Sequence, residues 1–242
     1  MKTINAIIFS VAIILFAAIG GYYYKSRNNV QKTVSVTGLG QTDFVSDLIV
    51  WSGSFDESAP TIQQAYKLLE KDREVVKNYL ISKGLSDSEI VFEAVNSSKI
   101  YNNKYTEEGK YIGETFQGYK LSQTVVITSY RVDLVEQISR EVTDLINEGI
   151  DFSSYSPNYY YTKLSELKLE LIKKAANDAR QRAENIISSS GSKLGKIVYG
   201  SMGIFQIIGQ NSNEDYSWGG TFNTTSKYKT ASITVHQEYL IK

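Results

Sequence analysis

The sequence contains no cysteine, which excludes disulfide bonds, thiolate catalysis and cysteine-ligated zinc. It has 2 prolines against 18 tyrosines, a balance that predicts long regular elements and aromatic-rich strands. Basic and acidic residues are equal at 26 each, so no overall positive field attracts phosphates and nucleic acid is not an expected partner. A local basic patch is compatible with this balance. The hydrophobic fraction of 42% and charged fraction of 21% are those of a globular protein.

Groups that carry chemistry are also scarce. His236 is the only histidine, which excludes a multi-histidine metal site, and it stands in an alternating strand on the face opposite Ile233 and Val235. The carboxylate pairs Glu107-Glu108 and Glu214-Asp215 stand in polar stretches without the spacing of a calcium-binding loop. We therefore expect no catalytic residue, no metal and no cofactor, and we predict that the protein is not an enzyme.

One long stretch without charge lies at the N-terminus, from Ile4 to Tyr24. As a helix rising about 1.5 Å per residue, this stretch is long enough to cross the hydrocarbon core of a bilayer. Basic residues stand on both sides of it, so the charge flanks do not determine its orientation.

The N-terminal stretch has three interpretations. We favour a retained membrane anchor, with Tyr22, Tyr23 and Tyr24 at the interface as an aromatic belt. The second is a secretory signal cleaved near the small residues Ala18 and Gly20, which would release a periplasmic protein. The third is a buried core helix. The favoured interpretation divides the chain into an anchor or signal segment, 1–29, and an extracytoplasmic domain, 30–242.

The periodicity of the remaining chain predicts an α+β fold, mainly an antiparallel sheet covered by about three helices. Strands are predicted over residues 33–37, 46–55, 89–100, 115–129, 150–161, 196–208 and 227–241. Helices are predicted from Ser58-Ala59-Pro60 to Gly84, over 132–147 and over 164–189. The second of them is expected to turn Val135, Ile138, Val142 and Leu145 inward and to stop at Gly149. The last helix carries an apolar stripe that includes Ala175, Ala179, Ala183 and Ile186, whose small middle residues allow close approach to a sheet. Gly38 and Gly40 are expected to permit a turn with positive φ.

Two groups of aromatic residues are candidates for contact with a ligand or partner, because aromatic side chains with polar tips are enriched at such surfaces. One group lies in a predicted strand, where aromatic residues are also common for purely structural reasons. The other lies in a Gly/Asn/Ser-rich loop, 209–226, which is predicted to be mobile. The two groups are Tyr159, Tyr160 and Tyr161, and Tyr216, Trp218 and Phe222.

Three segments resemble the SIMPL-domain family of bacterial envelope proteins, which includes a periplasmic or outer-membrane immunogenic antigen. They are Val34-Ser35-Val36-Thr37-Gly38-Leu39-Gly40, the helix from Ala175 to Ala183, and Gly191-Ser192-Lys193-Leu194-Gly195-Lys196. The resemblance covers about residues 33–242. It implies an exported α/β domain that assembles into ring-like or channel-like homo-oligomers, has links to envelope stress and carries no assigned catalytic residues.

Taken together, these patterns predict a membrane-anchored envelope protein with a structural or interaction role. Its expected partners are the membrane through residues 4–24, further copies of the chain, and an envelope protein or cell-wall component. The alternative is a module that binds a glycan or peptide through the aromatic residues of loop 209–226.

Overall fold

The computed structural model of the protein describes residues 2–27 and 32–242, with side-chain surroundings described for Ile4, 9–24 and 32–242. The helices are α1 (Lys2–Arg27), α2 (Ile62–Ser82), α3 (Val132–Glu141) and α4 (Leu164–Ser188). The strands are β1 (Thr33–Val45), β2 (Leu48–Ala59), β3 (Ile90–Phe92), β4 (Asn96–Tyr105), β5 (Tyr111–Ser129), β6 (Phe152–Ser154), β7 (Asn158–Tyr160), β8 (Leu194–Met202), β9 (Gln206–Gly209) and β10 (Tyr228–Ile241). Strand β10 pairs antiparallel with β8 and β9, and so do β2 with β5, β6 and β7 and β5 with β3 and β4, which confirms the predicted α+β class.

The chain forms two compact units. The first unit comprises Met1–Gly40, Ile172–Gly203 and Ile233–Lys242, and the second comprises Gln41–Leu171 and Ile204–Ser232. Three elements, β1, α4 and β10, continue from one unit into the other. Each unit is described by itself below.

Helix α1 belongs to the first unit and covers the uncharged N-terminal stretch. Its described apolar side chains are exposed, including Phe16 at 81% and Tyr22 at 73%. Among residues 2–27 and 32–242, no helix is both long and apolar enough to cross a membrane. The membrane anchor stays a prediction.

The sheet of the first unit has the strand order β1-β10-β8, and the C-terminal half of α4 packs on one face of it. The helix presents Ala175, Ala179, Ala183 and Ile187, all buried, at steps of four residues. The predicted small-residue stripe is therefore confirmed for its alanines. It ends at Ile187 and not at Ile186, which is 55% exposed, because the four-residue step brings position 187 onto the buried face.

Gly38 lies inside β1 and not in a turn, and neither Gly38 nor Gly40 has positive φ, so the predicted turn is wrong. The reason for glycine at position 38 is close approach: a Cβ there would lie 2.1 Å from the carbonyl oxygen of Ala175 and 2.3 Å from the amide nitrogen of Ala179. The backbones of β1 and α4 thus touch at this point. Asp178 fixes the same contact, since its Oδ2 accepts hydrogen bonds from the Leu39 amide at 2.8 Å and from Arg182 Nε at 2.8 Å.

The second unit contains a six-stranded sheet with the order β3-β5-β2-β6, in which β4 also pairs with β5 and β7 with β2. Strand β2 is central and buries Ile49, Trp51 and Phe55 on one face. Helix α2 packs on this core through Ala65, Leu69, Val76 and Leu80, and α3 through Val132, Val135 and Ile138.

Three predicted elements of this unit are subdivided. The predicted strand 89–100 is two strands, β3 and β4. The predicted strand 150–161 is two short strands, β6 and β7, separated by a segment containing Pro157, which has no amide hydrogen to donate to the ladder. The predicted helix 132–147 is α-helical only to Glu141 and continues as a 3-10 helix over Val142–Glu148. It stops at Gly149, as predicted, and this glycine has φ 86°.

Gly38→Ala tests the contact between β1 and α4. A methyl group at this position overlaps backbone atoms, which cannot rotate away, so we expect a loss of about 3 kcal/mol or more in the free energy of unfolding. Denaturant unfolding of the full chain in detergent measures it. Gly200→Ala in β8 is the matched control, because the nearest heavy atom to a Cβ there is 3.7 Å away. Equal stability of the two variants would contradict the close contact.

Candidate binding surfaces

The loop between β9 and β10 presents the three aromatic residues singled out in the sequence. Trp218 is 97% exposed, Tyr216 61% and Phe222 52%. Exposure of an apolar indole ring to water is unfavourable, and contact with a ligand or partner removes that surface from water. These three residues are the most direct candidates for such contact in the second unit.

Buried side chains hold this loop by hydrogen bonds, and its predicted mobility stays a prediction. Gln206, only 8% exposed, donates from Nε2 to the Ser217 carbonyl at 2.7 Å, and its Oε1 accepts from the Thr221 amide at 2.7 Å. One buried side chain therefore ties both flanks of the segment that carries Trp218. The glycine-rich composition predicts a flexible loop. The hydrogen bonds of Gln206 could not be predicted, because its partners are recognised only in the folded chain.

Glu214 and Asn223 hold the base of the same loop. Glu214 accepts a hydrogen bond from the Gly209 amide at 2.9 Å and a second from Asn223 Nδ2. Asn223, which is buried, accepts from the Ser226 amide at 2.8 Å. Of the predicted acidic pair, Glu214 is thus a structural residue of the loop. The tied loop presents its aromatic side chains with little conformational entropy left to lose on binding.

The tyrosines of the predicted strand, Tyr159, Tyr160 and Tyr161, are less exposed than the aromatic residues of the loop. Tyr159 is 7% exposed and belongs to the core, so its ring is not available as a contact surface. Tyr160 and Tyr161 are half-buried, and Tyr161 packs on Phe44 with ring centroids 4.8 Å apart. The Tyr159 amide donates to the Thr224 carbonyl at 2.7 Å, which joins β7 to the end of the aromatic loop through the backbone.

A second aromatic surface, on the hairpin of β4 and β5, was not predicted from the sequence. Every residue of β4 except Ile100 is exposed. Aromatic rings pair across the two strands: Tyr101 with Phe116 at 5.8 Å and Tyr105 with Tyr111 at 5.9 Å between centroids. The available signal was the recurrence of tyrosine and phenylalanine at paired positions on both sides of a turn.

His236 lies on the sheet face of the first unit that is opposite α4. Its Nε2 is 3.1 Å from Ser35 Oγ and its Nδ1 is 3.2 Å from Thr37 Oγ1, so both ring nitrogens meet hydroxyls of β1. Both are contacts between neighbouring strands, β10 and β1. A catalytic relay needs a carboxylate that orients the ring, and Thr37 occupies that place with a neutral hydroxyl.

Charge is distributed unequally between the units. By sequence, 11 of the 26 basic and only 3 of the 26 acidic residues fall in the first unit, which gives it a net charge of +8. The second unit holds the remaining 15 basic and 23 acidic residues, a net charge of −8. The zero net charge of the chain therefore conceals one strongly basic and one strongly acidic unit.

Asp72, which is half-buried, and Lys229, which is buried, have shifted pKa values in the second unit. Burial and, next in size, the adjacent Glu57 carboxyl in β2 together raise the pKa of Asp72 in α2 to about 6, against a lowering effect of Lys71. Asp72 Oδ2 is buried and has no hydrogen-bond partner among the described residues, and two carboxyl groups can form a hydrogen bond only when one of them holds a proton. Burial lowers the pKa of Lys229 to about 8, and its Nζ donates to the Tyr159 carbonyl.

Within residues 2–27 and 32–242, no three potential ligands among His, Cys, Asp and Glu are grouped so as to hold a metal ion. The pair Glu107-Glu108 stands exposed at the turn of the β4–β5 hairpin.

The architecture defines the class: an α+β protein whose antiparallel sheets carry helices. More specifically, the chain belongs to the SIMPL family, since the family model, described as a protein of unknown function (DUF541), matches residues 34–238. This confirms the family suggested by the sequence motifs. No curated protein matches the chain.

Asp72→Asn tests the shared proton. The folded-state pKa of Asp72 lies above its unfolded value of 3.8, so this group's contribution to stability is present at low pH and is lost as the pH rises through about 6. Asn cannot ionise, and we expect the stability of the variant relative to wild type to rise by roughly 1 to 3 kcal/mol between about pH 4 and pH 7. Denaturant unfolding across this range measures the difference.

The exposed Asp151→Asn is the control for Asp72→Asn, and it should show no comparable rise. A difference between the Asp72 variant and wild type that does not change with pH would contradict the carboxyl pair.

Proposed function

We propose that the protein is an exported envelope protein, anchored in the cell membrane through residues 4–24, with a structural rather than catalytic role exercised by self-association. The observation that supports self-association is the aromatic hairpin, by which we mean the ring pairs Tyr101–Phe116 and Tyr105–Tyr111 of β4 and β5. The extracytoplasmic location rests on the uncharged N-terminal stretch, whose described side chains in α1 are exposed.

The hairpin supports a protein contact because it exposes apolar surface that the rest of the second unit does not cover. Tyr101 is 48% exposed, Tyr105 58%, Tyr111 51% and Phe116 44%. A two-stranded ribbon is marginally stable by itself in water, and contact with a further protein surface stabilises it. Aromatic residues of this kind dominate the centre of protein interfaces, where each can contribute more than 1 kcal/mol.

A further ring contact connects the aromatic hairpin to the core of the second unit. Phe116 lies 5.3 Å from Tyr119 between ring centroids, and Tyr119 packs against the core of the second unit. Rings held in this way lose little freedom on contact. A further copy of the chain is the partner we propose for this surface.

The double variant Tyr101→Ser with Phe116→Ser tests self-association. We expect its dissociation constant to rise by about tenfold or more, because two apolar contacts are removed from the interface. Light scattering of the full chain in detergent, with chemical cross-linking, gives the mass at each concentration. The matched control is Tyr130→Ser with Tyr66→Ser, two exposed tyrosines outside the hairpin. A wild-type chain that stays monomeric at all concentrations would overturn the proposal.

Trp218 favours a second candidate function, the binding of a glycan or peptide by the tied loop. A fully exposed indole on a fixed segment can stack on the apolar face of a sugar ring. Replacing Tyr216, Trp218 and Phe222 by Ala should abolish retention on cell-wall material and leave the unfolding transition unchanged. Tyr228→Ala, which removes another exposed ring, is the control. Equal retention of the triple variant and wild type would eliminate this function.

A further inference from the structure

The hairpin of β4 and β5 has two sheet edges that no described strand covers. Strand β4 pairs with β5 on one side, and none of the described strands pairs with its other side over Asn96–Tyr105. Strand β5 pairs with β2 only from Tyr119 onward, so residues 111–118 lack a described neighbour on the side opposite β4. We call these two surfaces the β4 edge and the β5 edge. Each presents backbone amide and carbonyl groups that a further strand can bind.

The β5 edge is open because β2 ends before β5 does. Ala59, the last residue of β2, pairs with Tyr119, and the next residue, Pro60, has no amide hydrogen with which to continue the ladder. The chain then enters α2 at Ile62. Residues 111–118 therefore extend past β2, and β4 is the one strand beside them in the part of the chain that the structure describes.

The two edges carry opposite charge. Strand β4 contains Lys99 and Lys104 and no acidic residue, whereas residues 111–118 contain Glu114 and no basic residue. A pairing of β4 with β4 would bring two doubly positive strands together, and lysines on an edge strand disfavour such a contact. The β4 edge of one copy and the β5 edge of another attract each other instead.

The β5 edge of a second copy also offers β4 the side chains with which β4 already pairs. Within one chain, Tyr101 pairs with Phe116 and Tyr105 with Tyr111. Both tyrosines of β4 lie on one face of the hairpin, because side chains alternate along a strand. The β5 segment of a second copy has the same sequence, so it can place the same two rings beside β4 from the outer side. Aromatic cross-strand pairs stabilise antiparallel strands.

We propose that the β4 edge of one copy pairs antiparallel with the β5 edge of the next, so that the hairpins of successive copies form one continuous sheet. This inference rests on the self-association proposed above and names the two surfaces that join. The contact is head-to-tail, because each copy contributes a different edge to it. A dimer formed in this way keeps one free edge of each kind for further copies.

Cross-linking of single-cysteine chains tests which edges join, since the natural chain has no cysteine. One variant is Asn102→Cys in β4 and the other is Gln117→Cys in β5, both at exposed positions. The full chains in detergent are treated with a short thiol-specific cross-linker, separately and as an equal mixture. We expect cross-linked dimer in the mixture and little in either variant alone. Ser165→Cys, exposed on α4, replaces Gln117→Cys in the control mixture and should give no dimer.

Exchanging the charges makes the test specific. Lys99→Glu with Lys104→Glu places negative charge on both edges, and we expect the dissociation constant of self-association to rise about tenfold or more. Adding Glu114→Lys to this variant makes the charges opposite again, and association should return towards the wild-type value. Lys67→Glu with Lys163→Glu, two exposed lysines outside the hairpin, changes the net charge equally and should leave association unchanged. The unfolding transition of each variant shows whether it is folded.

The outcomes separate this inference from the proposed function. A wild-type chain that light scattering shows to be monomeric overturns both. An Asn102→Cys variant that cross-links by itself as strongly as the mixture does would join β4 to β4, and this overturns the head-to-tail contact alone. Association without a cross-link in the mixture, or without recovery in the triple charge variant, also overturns that contact and leaves self-association standing.

Discussion

The contact of two backbones, at Gly38 of β1 and Ala175 and Ala179 of α4, is the constraint on which the first unit depends. A helix that meets a sheet without intervening side chains requires glycine on one side and alanine on the other, and the chain supplies both. The close approach then brings Asp178 within hydrogen-bonding distance of a strand amide. The position of α4 on the sheet is therefore determined jointly by Gly38, Ala175, Ala179 and Asp178.

The sequence predicted those elements whose periodicity is strong and local. The alanines of α4, the buried positions of α3 and the stop at Gly149 all follow from a helical repeat and from glycine chemistry. Predictions failed where a residue far away in the sequence determines the local structure. Gly38 was taken for a turn because its neighbour Ala175 is 137 positions away, and only the fold brings them together.

The candidate surfaces show the same division. The exposed aromatic residues of loop 209–226 could be anticipated from composition, since a Gly/Asn-rich segment has no core to hold them. Their fixed presentation by Gln206 and Glu214 could not be, because it depends on hydrogen bonds to the loop's own backbone. The separation of charge was equally hidden, because the first unit is assembled from three distant segments whose charges cancel against the rest.

The same interleaving of segments limits how the molecule can be divided. Neither unit is a contiguous piece, and the matched family region, 34–238, passes through both. A chain truncated after Leu171 or after Gly203 loses strands of both units at once. Proteolytic dissection or expression of half-chains would therefore yield fragments without a complete sheet. Selection must therefore act on such a chain as a whole. An insertion is tolerated best at an exposed turn within one unit, such as the turn between β4 and β5.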